Sequence, residues 1–205
     1  TNCTVSGNTA NFYGGGIYNW YGTLTLIRNI VSGNTAANRS EIFREGGSIS
    51  ANAYNVFGNS GLTTAEAFYD FTPGATDVTC TSDGTNAPLS KILNPILANN
   101  GGPTLTHALV VGSPAIDIAS TGPATDQRGI LRPQGSGVDA GAYEYVSTDP
   151  DPDPDPNPIL DYNYSHSLVS NIAKLNAWVL DPDARLGVGA NWIMEGDLSR
   201  GFRFV

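Results

Sequence analysis

Along the first sixty residues the apolar positions fall in short pieces, with glycine and asparagine between them. Ile17-Tyr18, Leu24 with Leu26, Ile30-Val31, Ile42-Phe43 and Val56-Phe57 are such pieces, and none continues at the three-and-four spacing of a helix. Short alternating runs of this kind predict β-strands, and the intervening glycines and asparagines supply corners at positive φ.

The pieces also repeat. Ser6-Gly7-Asn8-Thr9-Ala10 returns as Ser32-Gly33-Asn34-Thr35-Ala36 after 26 residues, and Phe57-Gly58-Asn59-Ser60 is a looser copy 25 residues further on. Gly22-Thr23-Leu24-Thr25-Leu26 falls on Gly47-Ser48-Ile49-Ser50-Ala51, and Ile17-Tyr18 on Ile42-Phe43, each after 25 residues. A period of this length built from β-type segments suits one turn of a three-sided parallel solenoid. The strands expected within a turn are Ile17-Tyr18-Asn19, Thr23 to Ile27 and Ile30-Val31. Stacking the turns places Leu24 over Ile49, Val31 over Val56 and Val5 under Val31, an apolar column inside. Asn8, Asn34 and Asn59 are expected to form an amide ladder, each bonding its copies at the strand spacing of about 4.8 Å. Gly14-Gly15-Gly16 reads as a tight bend. A phosphate loop there would need a following Lys-Ser/Thr and a helix, and neither is signalled.

Composition narrows the class. Charged residues make up 14% and hydrophobic ones 40%, with 24 glycines and many Asn, Ser and Thr, a balance that favours an all-β chain of short strands and turns. The net charge of -9 repels phosphate backbones and anionic lipid heads, so nucleic acid is not an expected partner. No stretch reaches the roughly 18 to 20 apolar residues of a membrane helix, so no transmembrane segment is expected. Any signal peptide is expected upstream of Thr1 or to have been removed. Cys3 and Cys80 are too few for a disulfide scaffold and lack metal-knuckle spacing. Their pairing is left open, since it requires Cα atoms within about 7 Å.

From Gly61 the repeat fades and a different order of segments follows. It runs Leu97-Ala98-Asn99-Asn100-Gly101-Gly102-Pro103-Thr104-Leu105-Thr106-His107-Ala108-Leu109, then Gly112-Ser113-Pro114-Ala115-Ile116-Asp117. Thr125-Asp126-Gln127-Arg128-Gly129, Arg132-Pro133 and Asp139-Ala140-Gly141-Ala142-Tyr143-Glu144 complete it. This resembles the choice-of-anchor Q domain of bacterial surface proteins. Gly14 to Asn19, Gly22 to Leu26 and Ser32 to Ala36 are similar to the polymorphic outer-membrane-protein type of β-helix repeat. The resemblance covers roughly residues 1 to 145. It implies a right-handed parallel β-helix on an exported protein, and it implies no catalytic residues.

Four regions are expected: β-helix turns over residues 1–60, a closing module over 61–147, an Asp-Pro spacer over 148–158 and a C-terminal docking or anchoring module over 159–205. Alternating Asp and Pro in the spacer remove donors and repel one another, which predicts a stiff acidic linker reaching on the order of 30 Å. A calcium site on its carboxylates is the alternative, although the glycine turn of a known loop is missing. Beyond it, apolar residues at 168, 172, 175 and 179 predict a helix over Ser167 to Leu180, with strand-like pieces after it, a small α+β segment. Trp178, Trp192, Phe202 and Phe204 are its candidate docking residues, against the β-helix or a neighbouring copy. A self-contained module is the other reading.

Candidate chemistry is sparse. Glu41, Glu45, Asp70 and Asp77 lie near the solenoid at non-equivalent positions of the repeat, which predicts solvated loop carboxylates rather than a catalytic pair. Asp117, Asp126, Arg128, Arg132, Asp139 and Glu144 form a mixed-sign cluster, read as a structural cap closing the end of the solenoid. His107 and His166 have no Ser or Cys constellation and are read as structural. No catalytic, cofactor or metal residue is expected. The chain reads as a non-enzymatic secreted or cell-surface structural or adhesive protein, with copies of itself or a surface polysaccharide as partner. A self-assembling filament subunit and a carbohydrate-active β-helix enzyme are the rivals.

Overall fold

The computed structural model describes residues 1–147, 194–197 and 201–204. The chain forms two units, Thr1–Pro150 and Asp151–Val205.

The first unit is a parallel β-solenoid. Its strands are β1 (Thr4–Val5), β2 (Thr9–Tyr13), β3 (Ile17–Asn19), β4 (Thr23–Thr25), β5 (Ile30–Val31), β6 (Thr35–Asn38), β7 (Ile42–Arg44), β8 (Ser48–Ser50), β9 (Val56–Phe57), β10 (Phe68–Tyr69) and β11 (Val78–Thr79). They stack in sheets ordered β1-β5-β9-β11, β3-β7-β10, β2-β6 and β4-β8, every pair parallel. A full turn therefore has four strand segments rather than the three expected. The additional side, β2 with β6, carries Thr-Ala-Asn sequence of modest strand propensity. Its pairing is fixed by neighbouring turns and by a hydroxyl pair, Thr9 Oγ1 to Thr35 Oγ1 at 2.9 Å.

Two-residue alternation sorts the side chains. Val31, Ile42, Phe57 and Phe68 point inward with Val5, Ile17, Leu24 and Ile49 packed against them, forming the solenoid core. Leu24 lies over Ile49 and Val5 under Val31, as the repeat predicts. Val31 does not lie over Val56. The register is Ile30 to Val56 and Val31 to Phe57, a spacing of 26. A spacing of 25 here would have turned Val56 to the wrong face. The extra residue sits in the corner 51–55, where Asn52 and Tyr54 take φ of 118° and 60°.

The other face of the sheet β1-β5-β9-β11 is also buried. Ile30 and Val56 pack against Cys80, Ile92, Leu93, Leu109, Ala115 and Ala140. Residues from 87 onward, including α2 (Leu89–Ile92), thus lie along the solenoid's flank. The apolar pairs Ile30-Val31 and Val56-Phe57 demand this, because a parallel strand with both side chains apolar needs cover on both faces. A second helical turn not expected from the repeat, α1 (Thr64–Ala67), is set by a capping box between Thr63 and Glu66.

Gly14-Gly15-Gly16 makes the expected bend. Gly14 has φ +60°, and a Cβ on Gly15 would collide with the carbonyls of Thr35 and Ser40 in the next turn. Gly15→Ala is expected to cost about 2 kcal/mol through overpacking. Its measure is a lowered urea midpoint with an unchanged m-value. Cys3 is an exposed free thiol and Cys80 a buried one. Cys3 flanks the first strand of its sheet and Cys80 the fourth, about three strand spacings or 14 Å apart, too far to bridge.

In the second unit β12 (Met194–Asp197) and β13 (Gly201–Phe204) pair antiparallel, with Met194 opposite Phe204 and Gly196 opposite Phe202. The candidate docking residues Phe202 and Phe204 thus belong to this hairpin. Trp178, Trp192, the helix expected over 167–180, His166 and the Asp-Pro spacer lie outside the described residues.

Candidate functional site

The structure brings four aromatic rings from three successive turns onto one outward face. Tyr18, Phe43 and Tyr69 are in register on β3, β7 and β10. Each follows an inward apolar residue, Ile17, Ile42 or Phe68, so strand alternation turns it outward. Tyr18 and Phe43 stack at 5.3 Å and 3°, and Phe43 and Tyr69 at 4.7 Å and 11°. Tyr13, from the end of β2, meets Phe43 at 4.6 Å. The guanidinium of Arg39 lies 5.9 Å from the Tyr69 ring centre, and Arg44 and Asp70 pair beside it at 2.8 Å. Such ring pairs contribute on the order of 1 kcal/mol each beyond their buried area.

One edge of this face opens into a shallow cleft of about 470 Å³, lined by Ala10, Asn11, Phe12, Tyr13 and Tyr18. It exists because β2 carries a bulge. Ala10 pairs with Ala36 but Tyr13 with Asn38, so the first turn has one residue more than the second between those pairs. The irregularity leaves Phe12 72% exposed, and Trp20 on the following corner is 70% exposed. The repeat Ile17-Tyr18 over Ile42-Phe43 signals the ring stack, with Phe68-Tyr69 as its third copy. The bulge has no sequence signal apart from the change in spacing from 26 to 25.

Of the four carboxylates near the solenoid, Glu41 and Asp77 are taken up in internal hydrogen bonds instead of being solvated as expected. Glu41 is fully buried. It accepts from Gly33 N at 2.8 Å, from Asn34 Nδ2 at 2.7 Å and from Asn59 Nδ2 at 3.4 Å. Glu41 is also where the expected amide ladder breaks. Asn8 Nδ2 donates to Asn34 Oδ1 at 3.0 Å, but Asn34 and Asn59 meet through Glu41 rather than each other. With Val31 over Phe57, the position stacked on Asn34 belongs to Ser60, so Asn59 falls one residue short. A second ladder was not anticipated. Asn29 Nδ2 donates to Asn55 Oδ1 at 3.1 Å and Asn55 Nδ2 to Asp77 Oδ1 at 2.9 Å. Its signal is the pair Asn29 and Asn55, 26 residues apart. Glu45 is exposed, as is Asp70.

Burial pushes the Glu41 carboxyl above its ordinary 4.5, against the pull of its donors Asn34, Gly33 and Asn59. A carboxyl raised in the folded state costs stability once deprotonated, and that cost disappears as pH falls below the unfolded value. Glu41→Gln sets an amide N–H₂ against surrounding donors, and its expected cost is about 2 kcal/mol at pH 7. Because only the native chain gains from protonation, the gap should widen as pH falls toward 4.5. Chemical unfolding of both proteins at three pH values measures this.

The mixed-sign cluster comes together against the first turns of the solenoid. Arg132 Nη1 pairs with Glu144 Oε2 at 3.1 Å, both side chains 1% exposed, and donates to the Asp139 carbonyl at 2.6 Å. Asp126 pairs with Arg128 at 2.7 Å, and the Arg128 guanidinium lies 3.5 Å from the Tyr143 ring centre. Asp139 Oδ1 accepts from Asp117 N at 2.8 Å and Oδ2 from Tyr145 N at 2.5 Å. The cluster is tied to the first turn through Asn2 Nδ2 to the Asp139 carbonyl and Gly141 N to the Arg28 carbonyl. Burial raises the carboxyls of Asp139 and Glu144 and lowers Arg132. Burial also acts to raise Asp126, but donors from Glu144, Arg128 and Ile130 outweigh it and hold that carboxyl low. Perturbed acids mark active sites only where a substrate can reach them. Here their oxygens are taken up by backbone and guanidinium donors.

His107 Nδ1 bonds the Asn94 carbonyl at 2.9 Å. Among the described residues, no three His, Cys, Asp or Glu side chains gather as a metal site would require, and no helix is long and apolar enough to cross a membrane. Comparison of the chain with protein-family models, with curated proteins and with solved structures gives no match.

Proposed function

We propose that this chain belongs to a secreted, non-enzymatic bacterial surface protein in which a right-handed parallel β-helix carries an adhesive face. The observation behind this reading is the stack of Tyr18, Phe43 and Tyr69, with Tyr13 beside it, on the outside of the solenoid. Outward aromatic residues are normally a liability in water, and a contiguous exposed set marks a contact surface. Stacking fixes the rings before contact, so binding loses little side-chain freedom. Right-handedness follows from the strong preference of parallel crossover connections. The segments that resemble the choice-of-anchor Q domain support export and surface display, with the Asp-Pro run as spacer between the solenoid and the C-terminal module.

The carboxylates weigh against the carbohydrate-active rival, since Asp126, Asp139, Glu144 and Glu41 are committed to internal bonds. The test is adhesion. Beads coated with the whole chain should stick to bacterial or host cell surfaces, and a Tyr18→Ala, Tyr69→Ala double variant that stays folded should lose adhesion. Beads that never adhere, or a variant that adheres as before, would overturn the reading.

A further inference from the structure

We propose that the cleft between β2 and β3 is a binding site for a neutral polysaccharide, with Phe12 and Tyr18 as its stacking platforms. The proposal rests on the adhesive reading above and names the ligand class of that surface.

Three observations converge on this cleft. Its lining, Ala10, Asn11, Phe12, Tyr13 and Tyr18, contains no charged residue. On a chain of net charge -9, an uncharged lining suits a ligand that itself carries no charge. Phe12 is 72% exposed and makes no ring contact among the described residues, so its face is open. The axial C–H bonds of a pyranose present a weakly positive surface that matches the negative face of an aromatic ring, so stacking is directional as well as hydrophobic. Finally, the polar groups are of the right kind. The side-chain amide of Asn11 and the hydroxyls of Tyr13 and Tyr18, which line the cleft, make no hydrogen bond to other described residues and supply amide and phenol groups for sugar hydroxyls. Apolar platforms with a few polar groups at their rim are the usual construction of a ligand site.

The bulge gives the cleft its shape. A regular β2 would match β6 residue for residue and leave no additional residue at Phe12. Bulges re-aim side chains and recur beside functional sites. The ring stack adds rigidity, because Tyr13 and Tyr18 both rest on Phe43 at 4.6 and 5.3 Å. Tyr18, Phe43 and Tyr69 cover one another's faces and present a row of ring edges beside the cleft across three turns, a length of surface that suits an extended polymer better than a single sugar.

The test is affinity electrophoresis of the whole chain in gels containing dextran, galactomannan or xyloglucan, with alginate and polygalacturonate as acidic controls. The proposal expects retardation by at least one neutral polymer and none by the acidic ones. Phe12→Ala should weaken it about tenfold, the scale of one lost ring contact. Tyr13→Phe, which keeps the stack and removes only a hydroxyl, should weaken it less. Circular dichroism confirms that each variant is folded. Retardation equal in Phe12→Ala, retardation only by acidic polymers, or none by any polymer overturns the proposal. Adhesion to fibronectin-coated wells that depends on Phe12, without polysaccharide binding, assigns the cleft to a protein partner and also overturns it. Bead adhesion that persists when no neutral polymer binds rejects this ligand class but leaves the adhesive reading standing. Loss of both rejects the two together.

Discussion

Arg132→Met is expected to cost about 3 to 5 kcal/mol of folding stability, the scale of a buried ion pair left with one partner. Arg132 is the cation paired with Glu144, 3.1 Å away, and its second Nη holds the Gly141 carbonyl at 2.8 Å. Without it, Glu144 and Asp139 remain buried as carboxylates already raised, first by burial and then by a neighbouring charge, Asp139 for Glu144 and Asp117 for Asp139. Carboxyls whose folded values lie above their unfolded ones destabilise the protein when ionised, and the penalty is relieved as pH falls toward the ordinary 3.8 and 4.5. The variant should therefore regain part of its loss at acid pH, measured by urea unfolding at pH 7 and pH 4.5. Adding Glu144→Gln should restore part of the loss at pH 7. A single variant within about 1 kcal/mol of the native chain, or one that acid does not help, would show that the pair is not what holds this flank.

The second large effect is expected at Asn55. Its side chain is fully buried and makes four bonds: it accepts from Asn29 N at 2.8 Å and Asn29 Nδ2 at 3.1 Å, and donates to Leu26 O at 3.1 Å and Asp77 Oδ1 at 2.9 Å. Asn55→Ala strands those partners inside the solenoid, and with about 1 to 3 kcal/mol per unsatisfied group the loss should be roughly 3 to 4 kcal/mol. Asn55→Asp keeps the shape and the acceptor but sets a carboxylate against Asp77. Burial beside that charge raises its folded value, so this variant should be worst at neutral pH and recover on acidification. The alanine variant should show no such added recovery. Equal pH profiles for the two would mean that size, and not hydrogen bonding, sets the cost at this position.

Much of the solenoid was legible because its signals are local and repeated. The copies Ile17-Tyr18 and Ile42-Phe43, and Leu24 and Ile49, specify inward and outward faces by alternation alone, and the structure keeps both pairings. The expectation failed where the period changed by one residue. Val31 over Val56 and the third rung of the Asn8, Asn34, Asn59 ladder both took the second offset as 25, whereas this column keeps 26 at each step. A corner can absorb one residue at little cost when it tolerates positive φ, as Asn52 and Tyr54 do, and nothing in local propensity says which corner will do so.

By itself, then, the chain determined a stacked, short-stranded, parallel architecture, its inward apolar columns and the tight bend at Gly14 to Gly16. These depend on periodicity and backbone freedom, which are properties of adjacent residues. The tertiary structure alone decided what covers the outer face of Ile30 and Val56, which carboxylates are buried, and how the bulge exposes Phe12 beside Tyr18. Glu41 could not be told from Glu45 by sequence, since burial of a carboxylate depends on donors such as Gly33, Asn34 and Asn59 that only folding brings to it.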